Sequence, residues 1–230
     1  MKHLILDCGG VIAYPRLGDW NLPFGAAQIL GEERARDLAT AKYLMAHREC
    51  ARWLDESQLV KDMEAEKDLR REYIRAMNIR MDWHLTMDEI ERLAGDFTDN
   101  ILRFGFFDDV KPWLERWYGH VTLGLLSDAM PSTLAFMEWQ GLLPYFKAAV
   151  ISTQVGAIKP DPRMYEAILK KLDADPADCL FVDDKAENLD GAVKAGMQAA
   201  QMTRSTALPA TLWDGPSVKD FAAIDALLKG

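Results

Sequence analysis

CLFVDDKAENLDGAVKAGMQAAQMT, residues 179–203, reads as a strand, a helix and a second strand. CLFV (179–182) is short and nearly continuous in apolar character, as expected of a strand buried on both faces of a parallel sheet. KAENLDGAVKA carries a helical pattern that stops at Gly196, and a glycine just past the last turn is a common helix stop. AAQMT (199–203) then returns to strand character. Moving toward the N-terminus, the alternation repeats. VTLGLL (121–126) and AAVIS (148–152) are strand-like, Pro131 opens STLAFMEWQ, which ends at Gly141, and Asp161-Pro162 opens RMYEAILKKL. Proline at a helix start and glycine past its end fit the usual asymmetry of helix termini. The pattern predicts an α/β fold with a doubly wound, Rossmann-like parallel sheet.

Residues 14–105 have a different texture. GEERARDLATAKYLMAHRECARWL, SQLVKDMEAEKDLRREYIRAM and TMDEIERLAGDFTDNIL show helical periodicity, mixed charges and little strand signal. Their charges are most simply a solvated helix face. A first strand at 3–7 is thereby cut off from the other strands by about ninety residues. An all-helical domain at 14–105, inserted after the first strand of a core made of 1–13 and 106–230, accounts for this. RFGFFDD (103–109) is then the crossing back to the core and a candidate hinge.

Composition limits the function. The 230 residues carry 49% hydrophobic and 27% charged side chains, as expected of a globular protein with one large domain or a domain plus insertion. A formal charge of −9 argues against nucleic-acid or anionic-membrane partners, which select a basic face. No apolar run approaches the roughly 18 residues of a membrane span. Asp7 and two glycines break the apolar start, unlike a signal peptide. Cys8, Cys50 and Cys179 are dispersed and odd in number, consistent with a reducing cytoplasm. His3, His47, His84 and His120 lack zinc-ligand spacing.

Ligands of open α/β sheets bind at the carboxyl ends of the strands. The first strand ends on Asp7, VTLGLL on Ser127-Asp128, and CLFV on Asp183-Asp184, with Asn188 just beyond; Lys159 follows the strand before QVGAIKPDP. Singly, each has a plainer reading: Asp7 in a loop, Ser127 or Asp128 as an N-cap, KPDP as a turn, the aspartate pair favouring a helix start. Together, Asp7, Asp183 and Asp184 would repel one another on one rim. A divalent cation relieves that, and an all-oxygen donor set favours Mg2+. Lys159 adds a positive charge, Ser127 a hydroxyl, and the helix start behind it free N–H groups for an anion. The set suits a phosphoryl group, with Asp7 left to attack it.

LILDCGGVI, LLSD, GAIKPDPRMY and LFVDDKAEN, in this order, resemble the four motifs of the haloacid dehalogenase-like hydrolases, a superfamily dominated by magnesium-dependent phosphatases. The helical insert resembles the mobile cap of the subgroup with a first-position cap, and the GGV ending of motif one is similar to sugar-1-phosphate phosphatases. The resemblance implies that Asp7 is the nucleophile, forming an aspartyl-phosphate. It implies that Asp7, the Gly9 carbonyl and Asp184 hold Mg2+, with Asp183 on the metal or its waters. Ser127, the Asp128 N–H and Lys159 would hold the phosphate of a small phosphorylated metabolite such as a sugar phosphate. Lys159 would also keep Asp7 ionised, and Asn188 would orient the aspartate pair.

Two positions depart from the pattern. Many members carry an acid–base aspartate where this chain has Gly9, and such help is worth roughly 10²- to 10⁴-fold. Either the leaving group needs little protonation, as an anomeric oxygen does, or a cap residue supplies the proton, or turnover is slow or absent. Asp128 stands where asparagine is common, and its carboxylate is expected to turn away from the phosphate. The alternatives are a weakly catalytic phosphate-binding or regulatory protein and a metal-independent 2-haloacid dehalogenase. The latter is disfavoured by Asp183-Asp184, whose adjacent charges oppose an anionic haloacid. Cys8 is read as a packing residue, and Trp20, Trp53 and Trp83 as packing of the helical insert.

Overall fold

The computed structural model describes residues 2–56, 60–204, 211 and 213–229. The strands are β1 (His3–Leu6), β2 (Ala13–Pro15), β3 (Phe104–Phe106), β4 (Thr122–Ser127), β5 (Ala148–Ile151), β6 (Cys179–Asp183), β7 (Gln198–Met202) and β8 (Ser217–Val218). Six of them form one sheet in the order β5-β4-β1-β6-β7-β8, with every neighbouring pair parallel. Ile5 lies in register with Gly124 on one side and Phe181 on the other. The chain builds outward from β1 through β4 to β5, then returns to place β6 on the other side of β1. That reversal opens a crevice at the carboxyl ends of β1, β4 and β6.

The helices are α1 (Ala26–Ala35), α2 (Ala41–Glu56), α3 (Met63–Met81), α4 (Met87–Asp99), α5 (Val110–Trp117), α6 (Pro131–Trp139), α7 (Ser152–Val155), α8 (Pro162–Leu172), α9 (Ala186–Lys194) and α10 (Phe221–Lys229). Side chains alternate across a strand, and here both faces are covered. Leu4, Leu6, Leu125 and Val182 pack with Val110 and Trp113 of α5, Met137 of α6 and Phe221 of α10. Ile5, Leu126, Val150 and Phe181 pack with Tyr165 and Ile168 of α8 and Leu189 of α9. Two-sided burial is why the strands read as continuous apolar runs.

Helix signals in the sequence have direct counterparts. Asp161 caps α8 by accepting from the Arg163 N–H at 3.0 Å, Pro162 is its first residue, and Gly196 has φ +90° just after α9. The β2–β3 ribbon and β8 carry too few residues for a periodicity, and the sequence signalled neither. Gly105 in β3 is required by close approach: a Cβ there would lie 2.3 Å from the Tyr14 ring.

The chain divides into two compact units: Met1–Tyr14, Gly105–Ala129 and Leu134–Gly230, and a helical unit of Pro15–Phe104 with Met130–Thr133. In the helical unit Leu54, Tyr73, Met77, Leu93 and Phe97 are buried together. Its charges are not all solvated. Arg71 pairs with Glu64, Asp68 and Glu91 on the outside, whereas Glu66 is fully buried and accepts from the Ser132 N–H (2.9 Å) and hydroxyl (2.7 Å). Trp83 is buried and donates its indole N–H to Asp37, and Trp20 tilts on Phe104; the Trp53 side chain lies outside the described residues. Among the described residues no helix is long and apolar enough to cross a membrane.

Candidate active site

Asp7 directly follows β1, and its N–H donates to the Val182 carbonyl at 2.9 Å, so the neighbouring strand fixes where β1 ends. Ser127 and Asp183 are the last residues of β4 and β6. Parallel pairing on both sides of β1 therefore brings all three to one edge. Lys159 enters from the segment between α7 and α8. Its ammonium is buried and lies 2.9 Å from Asp7 Oδ1, 2.6 Å from Asp183 Oδ2 and 3.2 Å from the Leu126 carbonyl.

Asp183 is fully buried and its oxygens have protein partners. Oδ2 accepts from Lys159 and Asn188, and Oδ1 from Asn188 and the Lys185 N–H. Asn188 thus braces Asp183 rather than Asp184. Asp184 reaches toward the loop after Asp7, where Gly10 has φ +70° and a Cβ would lie 2.4 Å from Asp184 Oδ2. Both the conformation and the missing side chain are conditions for that approach. Sequence reasoning overlooked Gly10; the signal available was the second glycine of CGGV.

Asp128 Oδ1 accepts from the Lys159 N–H at 2.8 Å. It thereby helps to fix the lysine backbone. Cys8 is buried, with its thiol 3.9 Å from Met137 Sδ, and burial pushes the thiol well above its ordinary range. The helix behind Ser127, α6, begins at Pro131, where the sequence placed it, and the amide of Ser132 donates to Glu66. One N–H of that helix start is thus taken by a buried carboxylate.

The electrostatics follow from crowding. Burial pushes the Asp7 carboxyl up to about 6, with the Lys159 charge opposing, Asp183 adding to the rise and the Ser127 hydroxyl opposing again. Burial, then Asp7 and Asp183, push Asp184 up to about 7. Burial works against the Lys159 ammonium, but Asp183, Asp7 and Asp128 together outweigh it and keep it charged. One oxygen from each of Asp7, Asp183 and Asp184 lies within 4.8 Å of the other two. Among the described residues, Asp7 Oδ1 is buried without a hydrogen bond of good geometry, although Lys159 is near. An oxygen-only donor set of three crowded carboxylates fits a hard divalent cation.

The model of the haloacid dehalogenase-like hydrolases matches residues 1–196. The chain belongs to that family. It is 34% identical over 128 residues to Phosphatase MT3486 of Mycobacterium tuberculosis, covering 54% of this chain and 56% of that protein. It is 30% identical over 138 residues to Enolase-phosphatase E1 of Acidiphilium cryptum, covering 58% and 59%. The chain thus spans a little over half the length of these curated relatives. Among solved structures, a HAD phosphatase from Thermococcus onnurineus superposes over 100% of this chain and 99% of that one, with TM-score 0.63 and 21% identity. The L-2-haloacid dehalogenase of Xanthobacter autotrophicus does so over the same shares, with TM-score 0.68 and 16% identity. At such identities these structures share the fold with this member of the family, whatever their chemistry.

Proposed function

We propose that the chain is a magnesium-dependent phosphomonoester hydrolase acting through an aspartyl-phosphate on Asp7, with a small phosphorylated metabolite such as a sugar phosphate as substrate. The observation that supports this reading is the gathering of one oxygen each from Asp7, Asp183 and Asp184 within 4.8 Å, beside the buried Lys159. Asp7, Asp184 and the Gly9 carbonyl would hold Mg2+, with Asp183 at the edge of that set. When bound, the ion offsets the carboxylate repulsion and the charge of the phosphoryl oxygens. Asp7 attacks phosphorus and forms the acyl-phosphate bond as the ester oxygen departs, and water then cleaves the intermediate to phosphate. Lys159 keeps Asp7 anionic and, with Ser127 and the Asp128 N–H, holds the transferring oxygens. The helical unit serves as the cap. Gly9 offers no proton, which fits a leaving group that departs with little acid help.

The test is phosphate release from a panel of phosphomonoesters with Mg2+ or chelator, with halide release from 2-haloacids followed in parallel. Phosphate release is expected only with Mg2+ and is expected to disappear in Asp7→Asn. Halide release indifferent to chelator would replace this reading with the dehalogenase. No turnover, with phosphate still bound, would leave a binding protein.

A further inference from the structure

Gln201 lies beyond the residues matched by the family model and sits in the apolar strand β7, paired in register with Asp183. It is only 1% exposed. Burying an amide side chain in a sheet core is unfavourable unless its donors and acceptor are met. Here they are. Nε2 donates to the Asp184 carbonyl at 3.0 Å and to the Thr211 carbonyl at 2.6 Å, and Oε1 accepts from the Trp213 N–H at 3.1 Å. The Gln201 backbone N–H also donates to the Pro216 carbonyl at 2.8 Å. Trp213 is tied in turn to α9, its indole N–H donating to Asp190 at 2.9 Å.

The two adjacent aspartates are therefore held by different means. Asp183 is fixed through its carboxylate, by Lys159 and Asn188, and Asp184 through its main chain, by Gln201. We propose that Gln201 is a positioning residue for the cation site: its amide fixes the Asp184 peptide so that the carboxylate projects over Gly10 toward Asp7. A short strap, Thr211 and Trp213–Val218, fixes Gln201 in turn, so the C-terminal part of the chain helps to shape a site built by earlier segments. The inference rests on the proposed divalent-cation site and extends it to a residue that does not itself touch the ion. Groups that orient metal ligands in this way typically contribute 10- to 100-fold in affinity.

The experiment is calorimetric titration of Mg2+ into the full chain, comparing wild type with Gln201→Met, which keeps the volume and removes the amide. Gln201→Asn, which keeps an amide but withdraws it by one carbon, is the second variant should the methionine protein not fold. Circular dichroism and the melting temperature in chelator establish folding. The expected result is Mg2+ binding weakened on the order of tenfold or more in a folded variant. Substrate KM and kcat are expected to return close to wild type at saturating Mg2+. A purely structural role would lower the chelator melting temperature and leave Mg2+ affinity within twofold of wild type, and that result overturns the proposal. Wild-type protein taking up no Mg2+ would overturn both this inference and the catalytic reading. Mg2+ uptake weakened by the variant, with no phosphate release from any ester, would overturn the catalytic reading alone.

Discussion

Gly10 shows how much one missing methyl group can decide. Its φ of +70° already strains any L-residue, by about 1–2 kcal/mol, and a Cβ would meet Asp184 Oδ2 at 2.4 Å and its Cγ at 2.7 Å. An alanine must therefore displace the Asp184 carboxylate or the loop after Asp7. Gly10→Ala is expected to fold, since the loop lies at the sheet edge, but to need at least about tenfold more Mg2+ for half-saturation, as loss of an orienting contact commonly does. Calorimetry checks this, and unchanged affinity would mean that Asp184 can hold the ion from a second rotamer. Gly9 has a different standing. In the proposed reaction its importance lies in the proton it cannot donate.

Elements owe their limits to local chemistry that a sequence displays openly. α4 starts at a capping box: the Thr86 hydroxyl accepts from the Glu89 N–H at 3.2 Å, and the Glu89 carboxylate accepts from the Thr86 N–H at 2.8 Å. Glu89 also pairs with Arg34, and that contact, then the Thr86 N–H, holds its carboxyl down to about 2. Thr86→Ala is expected to cost about 1 kcal/mol of stability, read as a lower urea midpoint at unchanged slope. Loss of much more than that would show that Thr86 supports packing beyond the cap. α3 is equally legible at its start, where Asp62 accepts from the Ala65 N–H, but not on its faces. Its charged repeat looked like one solvated surface, yet Glu66 and Arg70 point inward. Periodicity does not separate them from their neighbours, because a buried charge is stable only through a partner distant in sequence, here Ser132 for Glu66.

At the scale of the whole molecule, the acidic cluster is expected to make stability depend on pH, and the proposed cation to offset that dependence. Asp7 and Asp184 have folded-state pKa values raised from 3.8 to about 6 and about 7. The folded chain then binds more protons than the unfolded one between about pH 4 and pH 7, so stability falls as pH rises through that window and levels off above it. In chelator, Asp184→Asn is expected to melt at a higher temperature than wild type at pH 8, with the difference shrinking toward pH 5. Adding Mg2+ at pH 8 is expected to raise the melting temperature of wild type and not that of the variant. A difference that ignores pH would show that the Asp184 carboxyl is not perturbed by its neighbours.

The sequence by itself determined the order of the five main strands, β1, β4, β5, β6 and β7, and the residues at the ends of β1, β4 and β6. A parallel sheet sends every carboxyl terminus to one edge, so Asp7, Ser127 and Asp183-Asp184 could be grouped before any distance was known, with Lys159 close behind. The tertiary structure decided what each of them does with its polar atoms. Asp183 commits its carboxylate to Lys159 and Asn188, Asp128 holds the lysine backbone, Glu66 takes the Ser132 amide, and Gln201 secures Asp184 from a neighbouring strand. Such pairings depend on separations of a few tenths of an ångström between segments far apart in the chain. Local pattern fixes an element and its direction, whereas only the packed whole fixes which donor meets which acceptor.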